Sequence, residues 1–251
     1  MNDRIDALLR QVQRPARYVG GEYNQVLKDK RNVEVRFAFC FPDTYEIGMS
    51  NLGMKILYGL INDMPGVWCE RVFAPWGDME EKMRSKQIPL WALESGDPIC
   101  EFDIIAFSLG YEMAYTTVLD MLDLGGVPVR AADRHGLKNL VVAGGQCVCN
   151  IEPMADFFDL CFLGEGEELD PELIELYRQA KRENWSKRDF LYAAAQIEGI
   201  YVPSLYEISY KEDGTIAAVE PKYGAPAAVR KRIVEDFDAA YYPTKPIVPS
   251  T

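Results

Sequence analysis

A chain of 251 residues, 48% hydrophobic and 26% charged, is long enough to bury a full core and has the make-up of an ordinary globular protein. Its net charge of −12, from 39 acidic against 27 basic residues, repels phosphate backbones, so no direct nucleic-acid binding is expected. No apolar run approaches the ~18–20 residues that span a bilayer, and the opening Met-Asn-Asp-Arg-Ile-Asp lacks a secretory core; a cytoplasmic protein with no membrane partner is expected.

Residues 1–32 form a polar lead-in. Ile5, Leu8, Leu9 and Val12 recur at helical spacing, predicting a short amphipathic helix that Pro15 ends before a loop at Gly20 and Gly21. From Val33 the rhythm becomes strand–helix. Residues 33–41 alternate and then turn fully apolar, which suits a central strand. Ser50 reads as the cap of a helix over 50–63 with Leu52, Ile56, Leu57, Leu60 and Ile61 on one face. A second strand covers 68–74 and a short helix starts at Gly77, while Pro89 and Pro98 keep 87–100 irregular.

The third strand is 103–109. Its helix, 112–124, buries Ala114, Val118, Met121 and Leu122 and closes at Gly125 and Gly126. Residues 140–143 and 160–163 make strands four and five, and a helix over 167–183 turns Leu173, Ile174 and Tyr177 inward. Such alternation predicts an α/β fold: a Rossmann/flavodoxin-like, doubly wound, five-stranded parallel sheet over 33–198. Beyond a helical stretch at 186–196, residues 199–203 and 205–210 read as strands, the latter pairing with 215–219 across Asp213 and Gly214 as a β-hairpin. From Pro221 to Thr251, proline and charge dominate. Residues 199–251 therefore read as hairpin plus linker, and a linker with nothing after it reads as a truncation.

Three strand ends run into loops of small or acidic residues: Phe-Ser-Leu-Gly-Tyr-Glu (107–112), Val-Ala-Gly-Gly-Gln (142–146) and Leu-Gly-Glu-Gly-Glu-Glu (163–168). In an open α/β sheet, ligands bind beyond the carboxyl ends of the strands. Gly144 and Gly145 let a ligand lie flat on the backbone or serve a tight turn. Ser108 either bonds to a ligand or caps the next helix. Neither G-x-G-x-x-G after the first strand nor a G-x-x-x-x-G-K-[ST] loop occurs. Asp43 and Glu46 follow the first strand, and Glu165 and Glu167 alternate with Gly164 and Gly166 after the fifth. Carboxylates repel phosphate but accept from hydroxyls and amides, and Glu167 and Glu168 also suit a helix's first turn. Together these loops suit one extended, mostly uncharged ligand.

Six cysteines occur; Cys40, Cys69 and Cys161 lie in or beside apolar runs and read as core, while Cys147 and Cys149 form a C-x-C in a loop. With one histidine and no C-x-x-C, no metal site is expected. That histidine, His135, lies in a polar stretch leading into the fourth strand, at the sheet's amino end, which leaves histidine acid–base catalysis without a candidate.

Segments 42–53, 70–75, 107–112, 143–147, 152–156 and 164–168 together resemble the front half of bacterial radical S-adenosylmethionine proteins that carry an N-terminal cobalamin-binding-like domain. The likeness runs from about Tyr18 to the final Pro-Ser-Thr. It implies an accessory domain, not catalytic alone, whose partner is a radical S-adenosylmethionine catalytic domain with a 4Fe–4S cluster and S-adenosylmethionine. Their C-x-x-x-C-x-x-C loop is not in this chain. The loop Asp43-Thr44-Tyr45-Glu46-Ile47-Gly48 occupies the slot where cobalamin mutases place Asp-x-His-x-x-Gly, with Tyr45 in the position of the cobalt-ligating histidine. The resemblance thus implies cobalamin held without a histidine ligand. It implies contacts from Asp43, Tyr45, Gly48, Ser108, Gly144, Gly145, Gly164, Glu165, Gly166 and Glu167. The alternatives are a docking scaffold that has lost the cofactor, or a flavin- or nucleotide-binding flavodoxin-like protein.

Overall fold

Strand runs such as 35–41 and 104–108, apolar but for Arg36 and Ser108, dictate a sheet covered on both faces. The computed structural model describes residues 3–248 and shows that sheet. Strands β1 (Val35–Phe41), β2 (Val67–Phe73), β3 (Ile104–Ser108), β4 (Leu140–Gly144) and β5 (Leu160–Phe162) run parallel in the order β2-β1-β3-β4-β5. The order reverses between β1 and β3, which makes their carboxyl ends the topological switch point. A sixth strand, β6 (Ile200–Tyr201), joins antiparallel to β5 with Cys161 opposite Tyr201. Within the expected strand at 199–203, Ile200 and Tyr201 therefore extend the main sheet. Two residues are too few for a sequence pattern to say which partner they take.

Side chains alternate across the sheet and divide the core. One face carries Phe37, Phe39, Ala106, Val142 and Phe162 under helices α3 (Leu52–Asp63), α6 (Gly166–Glu183) and α7 (Lys187–Ala194). The other carries Ala38, Cys40, Phe107, Ala143 and Cys161 under α1 (Asp3–Leu9), α4 (Gly77–Lys86) and α5 (Tyr115–Leu124). Cys40, Cys69 and Cys161 are buried as expected, and burial pushes their thiols up. The α3 cap is Asn51 instead of Ser50, its side chain accepting from the Met54 N–H at 2.8 Å. Ser50 sits one residue early and donates back to the Glu46 carbonyl, closing the short helix α2 (Tyr45–Gly48). Ser186 caps α7. No helix among the described residues is long and apolar enough to cross a membrane.

Both chain ends are tied to this body. Glu22, from the polar lead-in, grips the fully buried Arg71 of β2 with two bonds of 2.6 and 2.9 Å, while Glu94 takes the same guanidinium at 2.6 Å. At the other end, the hairpin β7 (Tyr206–Tyr210) and β8 (Ile216–Pro221) forms its own two-stranded sheet. The chain beyond it, whose composition reads as linker, returns to the domain. Arg232 bridges to Gly164 and pairs with Glu168 and Glu172 at 2.6 Å each, and Ile247 is buried where Asn24 donates to its carbonyl. The final Pro-Ser-Thr lies outside the described residues.

Candidate functional site

The register aligns Ala106 with Val142 and Ser108 with Gly144, so the α3/α6 face of β3 and β4 ends in one hydroxyl and one bare backbone position side by side. Phe39 and Phe162 flank them from β1 and β5, and Met54 and Leu57 roof them from α3. The result is a cavity of about 240 Å³ at the carboxyl ends of the strands, lined also by Asn51, Gly145, Asp170 and residues 164–167. Drug-sized ligands fill cavities of about 300–1,000 Å³, so this one has room for a single fused ring.

Seven of the ten sequence-expected residues meet here: Ser108, Gly144, Gly145, Gly164, Glu165, Gly166 and Glu167. Their roles differ. Gly145 has φ +101°, and a Cβ there would stand 2.5 Å from the Leu109 carbonyl oxygen, so the turn itself demands glycine. Gly164, at φ +129°, has the Arg232 backbone pressed against it. Gly144 is unlike both. A Cβ on it would meet nothing nearer than Phe162 at 4.0 Å, and its strand backbone tolerates any residue. Neither strain nor crowding explains this glycine; the open cavity in front of it does.

The polar groups also separate. Among the described residues, the Ser108 hydroxyl has no hydrogen-bond partner, and the turn and helix that follow β3 receive no side-chain cap. Glu165 accepts from the Val234 N–H at 2.5 Å and so holds the returning tail. Glu167 stands in the first turn of α6, where the helix dipole favours it. Asp170, one turn further on, is 3% exposed and receives no hydrogen bond or ion pair among the described residues. Burial, then the charge of Glu167, pushes its carboxyl up to about 8.

Asp43, Tyr45 and Gly48 are not part of this lining. Asp43, at the carboxyl end of β1, accepts from the Tyr111 hydroxyl at 2.8 Å and so ties the first and third strand loops together. Tyr45 turns toward the lead-in: its hydroxyl donates to Glu22 at 2.7 Å and its ring meets Phe73 edge-on. Burial and that carboxylate push the phenol up to about 12. Gly48 is buried with the Phe73 ring where a Cβ would stand, so packing explains it. At the carboxyl edge of the sheet, the segments after β1, β2 and β3 expose Ile47, Trp76 (56%), Tyr111 and Met113 (83%), and the start of α3 exposes Leu52 (64%); none of them lines the cavity.

Sequence reasoning missed Asp170, Asn51 and Arg232. A lone acid on a helix looks solvent-facing, and only the 166–170 spacing, which returns Asp170 to the face of the glycine loop after one turn, hinted otherwise. A wider cleft of about 1060 Å³ lies between the hairpin and the body, with exposed His135 on its wall. Its Arg130, Arg134 and Lys187 are paired to Asp156 and Asp159, so we read it as a seam. Cys147 is buried and Cys149 exposed, and among the described residues no three His, Cys, Asp or Glu are placed to hold a metal ion.

Residues 53–203 match the family model described as radical SAM proteins, N-terminal. Over 143 residues the chain is 26% identical to an uncharacterized protein of Methanocaldococcus jannaschii, a stretch covering 57% of this chain and 26% of that protein. The matched stretch spans about a quarter of that relative's length.

Proposed function

This chain belongs to the family of radical SAM proteins, N-terminal, and from that premise we propose that it holds a corrinoid, cobalamin, for the catalytic part of such a protein. The observation that carries the reading is Gly144: a strand-end glycine required by neither backbone nor neighbours, opening on an apolar slot with Ser108 beside it. A planar group of the cofactor's tail would lie on Gly144 between Phe39 and Phe162, with Ser108 and the 164–167 backbone available to its polar edges. When bound, a corrinoid supplies a cobalt centre that carries an alkyl group. This chain's residues would bind and orient it, and Tyr45, committed to Glu22, would not act as a metal ligand.

The 4Fe–4S cluster and S-adenosylmethionine belong to the catalytic partner in this reading. The 251 residues contain no C-x-x-x-C-x-x-C, and the described residues do not fit a cluster. The exposed Ile47, Leu52, Trp76, Tyr111 and Met113 along the carboxyl edge of the sheet favour a partner seated on that edge. The same rim supports a second reading, a docking module without a ligand.

Titration of the protein with hydroxocobalamin, followed by visible absorption, separates the two. The cofactor reading expects saturable binding with a base-off spectrum. No spectral change at high micromolar cobalamin would leave only the docking module.

A further inference from the structure

Among the described residues, Asp170 breaks a rule that the other buried charges obey. Glu70 pairs with Arg36, Glu94 with Arg71, and Asp159 with both Arg134 and Lys187. Asp170, also buried, faces the crevice, and among the described residues no donor is aimed at it and no Lys, Arg or His lines that crevice. An unpaired buried carboxylate is costly, so such a site is kept only for a use or as a neutral acid. Gly166 clears space for it: a Cβ there would come within 2.9 Å of Asp170 Oδ2 and 3.1 Å of Leu57.

We propose that Asp170 is the specificity-determining residue of the crevice, its carboxyl donating a hydrogen bond to the acceptor nitrogen of a planar N-heteroaromatic ring seated between Phe39, Phe162 and Gly144. This deepens the cofactor reading and rests on it only for the position of the site. The surroundings set the protonation. Glu167 on its own helix adds negative charge, Glu165 at the start of that helix also lines the crevice, and the buried Cys69 thiol of β2 is coupled to Asp170. The facing stretch of α3 brings Asn51, Gly53, Met54 and Leu57, and the strand ends bring Ser108 and Gly144, none of them titratable. A carboxyl titrating at about 8 is mostly a neutral O–H donor at pH 7. It then suits a ring with a lone pair, while the Glu165 and Glu167 carboxylates in the lining disfavour a phosphate. Two sources could present that ring: the base of a corrinoid's nucleotide tail, or a flavin.

The test compares two small rings of the same shape, 1-methylbenzimidazole, which has an acceptor nitrogen, and 1-methylindole, which does not. Binding is followed by amide chemical-shift changes in the whole chain. Wild type is expected to prefer the benzimidazole about tenfold, the factor set by one net hydrogen bond plus the stranded donor. The preference should fade as pH rises above about 8. Asp170→Asn, which keeps a donor, should retain it at every pH, and Asp170→Leu should abolish it. Equal binding of the two rings by wild type, or a preference indifferent to pH and to Asp170→Leu, overturns the assignment. Displacement of the benzimidazole by cobalamin or by riboflavin identifies the source. Cobalamin and riboflavin binding both unaffected by Asp170→Leu would sink this inference and leave the cofactor reading intact. Ring discrimination without cobalamin binding would do the reverse.

Discussion

Gly144→Ala should make the free protein more stable and the liganded one weaker. The added methyl meets only Phe162, at 4.0 Å, and projects into an apolar cavity. Replacing glycine inside a strand gains about 0.5–1 kcal/mol from the entropy of the unfolded chain, and packing the methyl adds up to about 0.8 kcal/mol. For a chain of this size each kcal/mol moves the melting point by about 2–4 °C, so Tm should rise by a few degrees. A planar ligand resting on Gly144 would be lifted off the floor, and overpacking of about 1–3 kcal/mol predicts a loss of affinity of about fivefold to a hundredfold. Gly145→Ala is the internal control. With φ +101° and the Leu109 carbonyl 2.5 Å from the new Cβ, it should cost at least about 1–3 kcal/mol and lower Tm. The readouts are a thermal melt by circular dichroism and calorimetric titration with cobalamin. If Gly144→Ala lowers Tm as much as Gly145→Ala, the cavity does not explain that glycine. If it leaves affinity unchanged, the ligand does not lie there.

Glu22→Ala should cost about 1.5–3 kcal/mol in urea unfolding, because it removes two charge-assisted bonds from the buried Arg71 and leaves Glu94 as its one carboxylate; a loss below about 1 kcal/mol would show that the lead-in is not part of the core. Asp170 titrates at about 8 folded against about 4 unfolded. The folded state therefore holds its proton more tightly, and stability should fall as pH rises between those values. Asp170→Asn should flatten that slope in urea midpoints taken across the range, and an unchanged slope would contradict the buried-acid assignment. Under native conditions a thiol reagent should label Cys149 first, with Cys40, Cys69 and Cys161 reacting after unfolding; early labelling of Cys161 would mean that β5 is open to solvent.

Much of the fold was legible because a sheet covered on both faces has to be written in apolar residues. The runs ending at Phe41, Ser108, Gly144 and Phe162 could serve little else once glycine loops and helical patterns punctuated them. Legibility failed where the deciding partner is remote in sequence. Ser50 and Asn51 are both good caps, and only the geometry of the first turn selects Asn51. Residues 221–248 have a linker's composition, yet Arg232 finds Glu168 and Glu172 across the fold. The site divides in the same way. The glycine loops announced the crevice, but Gly48, Gly145 and Gly164 answer to packing and backbone, and Gly144 alone to open space. Tyr45 stands where the resemblance placed a ligand contact and turns instead to Glu22, a residue the sequence had given no role.

The most direct measurement is hydrogen–deuterium exchange of the intact chain with and without saturating cobalamin. Protection is expected at the strand ends around 106–109 and 142–146 and in the loop and first helical turn at 163–170, the segments that line the crevice. Protection confined to the hairpin seam around 186–224, or none at all, would contradict the assignment of this crevice as the place where the cofactor sits.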